Sequence, residues 1–280
     1  MNDKYELTII VSNYNQEKHL AETIDSIFAQ IVSFPFKVII ADDCSCEDRS
    51  KEIISNYAKN HNNIEVVFAS ENKGYLANIL RAKEKTDTKY FCLLDADDYW
   101  TDLHFLQRAY DFLELHNEYS IYESNVSVFS EDEKFIRTFF SPRTKSGSYS
   151  KNMFLKGRRV PITQTTGMFL RNTIFVNKIP DIMKNAIGTR AERSFEGDTG
   201  RFIMHIKTGL AYYDGRVVGV YRLTDNGIWN SLAKSKKLLI TARMQLDYYQ
   251  YYDSMAPIFI IKAYKAFQEY LLEKHAFCAS

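Results

Sequence analysis

The 280-residue chain has few of the residues that punctuate or staple a fold: 5 Pro, 11 Gly and 4 Cys. Such scarcity of Pro and Gly points to long regular elements rather than a loop-rich architecture. Four cysteines (Cys44, Cys46, Cys92 and Cys278) in a chain this long do not make a disulfide framework, and a reducing, cytoplasmic compartment is expected. Long apolar runs are missing too. A bilayer crossing needs about 20 apolar residues, whereas the most apolar late segment, Pro257 to Leu272, is broken by Lys262, Lys265, Gln268 and Glu269. The charged start, Met1-Asn2-Asp3-Lys4-Tyr5-Glu6, runs straight into a strand pattern and does not read as a secretion signal. Neither sign of charge dominates: 36 Lys+Arg stand against 35 Asp+Glu, so no bulk attraction to nucleic acid is expected.

What is present is a globular composition, 45% hydrophobic and 25% charged, ample for a large core. Aromatics reach 14%, and such side chains serve core filling and sugar-ring binding alike. Short apolar runs (Leu7–Ser12, Phe36–Ala41, Ile64–Ala69, Tyr90–Leu94) alternate with helical periodicity: Leu20 to Ile31, Arg49–Asn60, Tyr75–Lys85 and Leu103–Leu115. That alternation predicts an α/β architecture with a Rossmann-like, mostly parallel sheet flanked by helices. Farther on, Ile121–Phe129 and Ile162–Leu170 read as strands, Ser141–Lys151 as a mobile polar loop and Thr199–Lys207 as a helix. Tyr212–Arg222 is Val- and Tyr-rich, and two helices, about 231–252 and 256–274, close the chain.

In open α/β sheets ligands bind beyond the carboxyl ends of the strands. Three polar clusters stand there: Ser12-Asn13-Tyr14, Asp42-Asp43 and Asp95-Ala96-Asp97-Asp98. Three carboxylates within four residues repel one another unless a cation sits among them, and hard oxygen donors suit Mg²⁺ or Mn²⁺. The plain alternative is a polar loop with a helix cap from Asp98 or Asp102. Asp42 or Asp43 is suited to a base N–H or a ribose hydroxyl, and equally to a loop or cap. Asp198, Arg201 and His205, at i, i+3 and i+7, share one helix face. His205 is placed to steady a base, touch an acceptor or simply pack, and Arg222 to pair with a diphosphate or a structural carboxylate.

Together these pieces resemble the family 2 glycosyltransferases, in order, across residues 5–225. The first strand with Asn13-Tyr14-Asn15, then Asp42-Asp43-Cys44-Ser45, Asn72-Lys73-Gly74, Leu94-Asp95-Ala96-Asp97-Asp98, Glu196-Gly197-Asp198, and Val220-Tyr221-Arg222 with Asn226-Gly227 resemble the family's successive motifs. The resemblance implies a GT-A fold in residues 1–225, with a nucleotide-sugar-binding half (1–118), an acceptor and catalytic-base half (119–225), and a helical extension at 226–280. It implies inverting transfer of a sugar from a nucleoside-diphosphate sugar, a UDP-sugar by expectation, to a glycan or lipid-linked acceptor in bacterial surface polysaccharide synthesis. Ser12, Asn13, Tyr14, Asp42, Asp43, Asn72 and Gly74 would then hold the nucleotide, and Asp95 the ribose or the metal. Asp97 and Asp98 would bind Mn²⁺ or Mg²⁺. Asp198 would be the base, with Glu196 as its alternative. Glu196, His205 and Arg222 are the candidate acceptor or diphosphate contacts. Many members carry Ala-Arg-Asn after Asn-x-Gly; Asn78-Ile79-Leu80-Arg81 stands here, so that base contact is either absent or moved to Arg81. No Gln-x-x-Arg-Trp motif of processive relatives is present, so single-sugar addition is expected.

Two other readings remain: a nucleotidyltransferase, against which the absence of Gly and Lys in Ser12–Gln16 counts, and a non-catalytic nucleotide-sugar-binding module. Arg143, Lys145, Lys151, Lys156, Arg158 and Arg159 fit a lid, a contact to an anionic acceptor or a solvated loop. Lys234, Lys236 and Lys237, followed by Tyr248, Tyr249, Tyr251 and Tyr252, fit peripheral contact with the inner face of a membrane, a homodimer surface or a tail packed on the core.

Overall fold

The computed structural model describes residues 5–176, 178–224, 227, 229, 231–251 and 257–278, with side chains to 273 in the last helix. Asn226 and Tyr252, singled out above, lie outside the described residues.

The chain opens with β1 (Leu7–Asn13), α1 (Glu17–Phe28), β2 (Phe36–Asp42), α2 (Ser50–Asn60), β3 (Ile64–Phe68), α3 (Tyr75–Lys83) and β4 (Tyr90–Asp95). It continues through β5 (Tyr99–Trp100), α4 (Phe105–Leu115), β6 (Tyr119–Ser130), β7 (Phe135–Thr138), β8 (Gly147–Tyr149), α5 (Lys151–Leu155) and β9 (Met168–Arg171). The last elements are α6 (Asp181–Lys184), α7 (Glu192–Glu196), α8 (Asp198–His205), β10 (Leu210–Leu223), α9 (Lys234–Tyr251) and α10 (Pro257–Cys278). One sheet runs in the order β3-β2-β1-β4-β9-β6-β10-β5, with β7 on β6 and β8 on β10. The run β3-β2-β1-β4 is parallel, as the alternation of strands and helices requires, and β6 and β10 are parallel as well. The antiparallel β9 joins these two parallel parts.

Alternate residues of each central strand feed two cores, one on each face of the sheet. Ile9, Val11, Val38, Ile40, Cys92 and Leu94 pack on one side under α1 and α4. Ile10, Ile39, Ala41, Phe91 and Leu93 pack on the other, with α3 and α8. Burial on both faces explains why these strands read as continuous apolar runs. Their register sets the site: Asn13 lies opposite Asp42, and Ser12 opposite both Ala41 and Asp95, so the polar clusters share one sheet edge.

The second half departs from the expectation in two places. Of Ile162–Leu170 only the end is strand; Thr163 instead bonds β6 through its N–H to Glu123 and its hydroxyl to the Ser124 carbonyl, and Thr165–Gly167 form a 3₁₀ turn. The segment Ser141–Lys151, read as a mobile loop, contains β8. Tyr149, Ser148 and Gly147 pair with Ala211, Tyr212 and Tyr213, and the Ser148 hydroxyl meets that of Tyr119. Strands as short as β5 and β8 carry too little periodicity to be read from sequence.

Gly219 is where β10 passes closest to β5. A Cβ there would come within 2.6 Å of the Tyr99 carbonyl oxygen and 3.2 Å of the Trp100 ring. Gly219→Ala is therefore expected to cost about 1–3 kcal/mol through backbone displacement. Urea unfolding measures it; an unchanged midpoint would show that the β5–β10 contact yields freely.

Candidate active site

The turn after β2 is self-supporting. The Asp42 carboxylate accepts from Asn13 Nδ2 at 2.7 Å and from the Ser45 N–H at 2.9 Å. The Ser45 hydroxyl donates to the same carboxylate. These bonds fix a turn in which Cys44 adopts φ 65°. Asp42 is fully buried and its oxygens are spent, so it braces the loop and does not reach a ligand, contrary to the expectation that it holds nucleotide. Asn13, also buried, is part of the same brace.

Asp43 reaches the other way. It accepts from the Lys73 N–H at 3.2 Å and the Gly74 N–H at 2.7 Å, and pairs with Arg81 at 2.6 Å. The two motifs recognised in sequence, around Asp43 and around Gly74, are thus one physical unit. Gly74 sits at φ +88°, a left-handed conformation that favours glycine, and its N–H also bonds the exposed Asn72 side chain. Arg81 donates to Asp43 and to the side-chain oxygen of Asn78. Asn78 in turn donates to the Ser12 hydroxyl and the Ala41 carbonyl. Tyr14 stands exposed at the rim.

The acidic turn after β4 divides its labour. Asp95 accepts from the Tyr75 hydroxyl at 2.7 Å. Asp98 is fully buried; it accepts from the Thr166 hydroxyl at 2.6 Å and the Arg222 N–H at 3.0 Å. With both oxygens engaged inside the sheet, Asp98 is a structural anchor and not a metal ligand, which corrects the sequence expectation. The turn places it one residue past Asp97, on the inward side. Asp97 keeps partial exposure; the Thr224 hydroxyl and its own backbone favour its charged form, but burial and the neighbouring Asp95 charge push its carboxyl up to about 7. Burial likewise raises Asp95, with Asp198 adding to the effect and Tyr75 and Arg201 opposing it. Burial is the leading cause of both shifts, with like-charge repulsion added to it.

Asp198 begins α8. It accepts from the Thr199 N–H and hydroxyl, and burial raises its carboxyl against the pull of Arg201. Arg201, nearly buried, donates to the Glu196 carbonyl at 2.6 Å and to the Thr165 hydroxyl. Its charge acts on Asp95, Asp198 and Tyr75 together. The i, i+3 relation of Asp198 and Arg201 was legible; the reach of Arg201 to Asp95 and Tyr75 across the chain was not. Tyr75 follows Gly74 directly, and that adjacency was its only sequence signal. Glu196 is engaged with Arg193 at 2.7 Å.

Two expected contacts fall elsewhere. His205 is fully buried beside Phe91 and Phe175, with Nδ1 2.8 Å from the Arg201 carbonyl; burial holds it neutral, down to about 3. It is a packed core histidine and not an acceptor contact. Arg222 is spent on Glu133 at 2.6 Å, on Glu22 and on the Asp97 carbonyl at 2.7 Å, so it is a structural ion pair and does not face a diphosphate. Glu123, which no motif marked, lies fully buried with one oxygen on the Thr163 N–H and the other without a partner; burial pushes it up to about 8.

The family model described as glycosyl transferase family 2 matches residues 8–177. Among curated proteins, the chain is 34% identical over 127 residues to the uncharacterised protein Rv1520 of Mycobacterium tuberculosis, covering 45% of this chain and 36% of that protein. It is 34% identical over 95 residues to the putative teichuronic acid biosynthesis glycosyltransferase TuaG of Bacillus subtilis, covering 34% of this chain and 36% of that one. The chain thus spans about a third of the length of these relatives. Among solved structures, Staphylococcus aureus TarS (residues 1–349) in complex with UDP-GlcNAc superposes with a TM-score of 0.61 at 17% identity, over 86% of this chain and 66% of that one. The mannosyltransferase PcManGT of Pyrobaculum calidifontis, in complex with GDP-Man and Mn²⁺, gives 0.61 at 16% identity over 100% and 76%. At these identities the shared feature is the GT-A type fold.

Two substitutions separate bracing from binding. Arg222→Met is expected to lower the melting temperature of the whole chain, because it leaves the Asp97 carbonyl without its donor and Glu22 and Glu133 without their cation. A native melting temperature with weakened nucleotide affinity would instead assign Arg222 to the ligand. Glu123 binds a proton in the folded state up to about pH 8, while its unfolded value is the ordinary 4.5, so its contribution to stability falls as pH rises between the two. Glu123→Gln should therefore melt progressively higher than the parent as pH goes from 5 to 8; a constant gap would contradict the raised carboxyl.

Proposed function

The chain belongs to glycosyl transferase family 2, and on that premise we propose that it transfers a single sugar from a nucleoside-diphosphate sugar to an acceptor hydroxyl, inverting the anomeric carbon. The observation that carries this reading is the nearness of the acidic turn Asp95–Asp98, at the end of β4, to an independent carboxylate, Asp198 at the start of α8, whose charge acts on Asp95. UDP-sugars are the favoured donors, supported by the UDP-GlcNAc complex of TarS. The acceptor class is a glycan or lipid-linked glycan of bacterial surface polysaccharide synthesis, supported by the likeness to TuaG, a putative teichuronic acid biosynthesis glycosyltransferase. A cytoplasmic setting at the inner face of the membrane belongs with that acceptor.

The donor set suits Mn²⁺ or Mg²⁺. Asp97 offers a hard oxygen, and the Asp95 carboxylate acts on it from close by. When bound, such an ion neutralises the charge that grows on the departing diphosphate. The chain's own residues do the rest. Asp43, Arg81, Ser12 and Tyr14 line the nucleoside end, with Asn72 and Gly74 held against Asp43. Tyr75 fixes the Asp95 carboxylate so that it presents one oxygen to ribose or metal. Asp198 takes the proton from the attacking hydroxyl as that oxygen bonds the anomeric carbon on the face opposite the leaving diphosphate. Burial raises its carboxyl, the direction that makes a stronger general base, and Arg201 opposes the rise.

Asp97→Ala should abolish the Mn²⁺-dependent rise in melting temperature with UDP. Asp198→Asn should keep that rise and lose transfer by about 10²–10⁴-fold. A UDP shift independent of Asp97, or near-normal turnover without Asp198, would overturn the assignment. Donor binding with no turnover in the parent chain would favour a binding module.

A further inference from the structure

The helical pair that closes the chain is apolar on two sides. α10 turns Phe259, Ala263 and Ala266 inward, and Phe259 packs on Phe154 and Tyr248. Its outer side exposes Ile260, Tyr264, Phe267 and Leu271, which the spacing i, i+4, i+7, i+11 gathers into one stripe. α9 runs antiparallel beside it, with Lys234 near Glu273, and adds Leu239 and Leu246. Between the helices lies a groove of about 370 Å³ whose one charged lining residue is Arg243. Tyr264 is 61% exposed and Leu272 71%. Single exposed leucines are ordinary, but a continuous row of large apolar side chains on two neighbouring helices marks an interaction surface.

A second, independent feature lies on the opposite flank of α10 from the stripe. Lys156, Arg158 and Arg159 are all exposed. Their segment abuts the start of α10: a Cβ on Gly157 would lie 2.9 Å from Ile258 Cδ1, and Lys262 covers the Phe154 ring at 4.9 Å. Lys265 is exposed on α10 itself. A second copy docking on this face would bring like charges together, at a cost. An anionic bilayer meets both demands, with apolar side chains at the headgroup boundary and cations on the phosphates. Among the described residues no helix is long and apolar enough to cross a membrane, so the pair would lie on the surface.

We propose that the outer face of α9 and α10, with the Lys156–Arg159 segment, docks the chain on an anionic lipid surface. The residues differ from those the sequence pointed to. Tyr248 is fully buried and donates to the Ser194 carbonyl, so that part of the tyrosine run faces the body of the protein. The proposal holds whatever sugar the site transfers.

The test is co-sedimentation of the full chain with phosphatidylcholine vesicles, with and without phosphatidylglycerol. Binding is expected only with phosphatidylglycerol, weakening as salt rises. Lys156→Gln/Arg158→Gln/Arg159→Gln should lower the partition coefficient on the order of 100-fold, about fivefold per cation. Tyr264→Ser/Phe267→Ser should also release the chain from vesicles, while both variants keep the parent's melting temperature and UDP response. No binding to phosphatidylglycerol vesicles, or binding that survives both variants, would overturn the proposal. So would a dimer in sedimentation velocity that only the Tyr264/Phe267 variant dissolves, since it would assign the face to a second copy.

Discussion

Two buried arginines hold the acidic turn in shape, and the rest of the site depends on them. Arg222 reaches back from β10 to bond the carbonyl of Asp97, 125 residues earlier, while its own N–H holds Asp98. The same guanidinium extends to Glu22 on α1 and to Glu133 beyond β6. Arg201 does the corresponding work at the start of α8, where its charge opposes the raised carboxyls of Asp95 and Asp198. Without these cations the turn would crowd buried carboxylates with nothing to offset their repulsion. With them the carboxylates take separate roles. Asp98 anchors, Asp95 is oriented by Tyr75, Asp97 keeps partial exposure and Asp198 stands apart on its own helix.

The arrangement leaves a residual demand for positive charge. Burial pushes Asp95, Asp97 and Asp198 above their ordinary range, so each is easier to protonate than a surface carboxylate. On the proposed reading protons and a divalent cation would compete for the same oxygens, and metal binding would release protons. The nucleoside side is built differently. There the Asp42 brace and the Asp43 bridge preorganise backbone through hydrogen bonds, and the glycine at φ +88° lets the loop turn tightly onto Asp43.

Much of this was legible in the sequence. The apolar runs of β1, β2 and β4 marked the parallel sheet, and the polar clusters that end them do share one sheet edge, the edge of the proposed site. Which neighbour in a pair of carboxylates faces the ligand was not legible: Asp42 and Asp43, or Asp97 and Asp98, differ by one residue and therefore point to opposite sides. His205 shared a helix face with Asp198, but the sheet strand carrying Phe91 covers that part of the face. Lys83 is a clearer case. Its ammonium lies 3.5 Å from the Phe91 ring centre and 3.8 Å from that of Phe175, inside a core that no periodicity would assign to lysine. In the closing helices both faces are apolar, and only the packing of Phe259 and Tyr248 decides which of them turns inward.

The central claim is that Asp97, freed from structural duty by the engagement of Asp98, is where metal and diphosphate meet. Anomalous diffraction from crystals of the chain soaked with UDP and Mn²⁺ tests it most directly. One strong manganese peak is expected within coordinating distance of the Asp97 carboxylate, on the side facing Ser12 and Asp43, with Asp98 still bonded to Thr166 and Arg222. A peak on Asp98 would contradict the claim, as would manganese at His19, Glu22 and Glu133, whose ligand atoms also lie within 4.8 Å of one another.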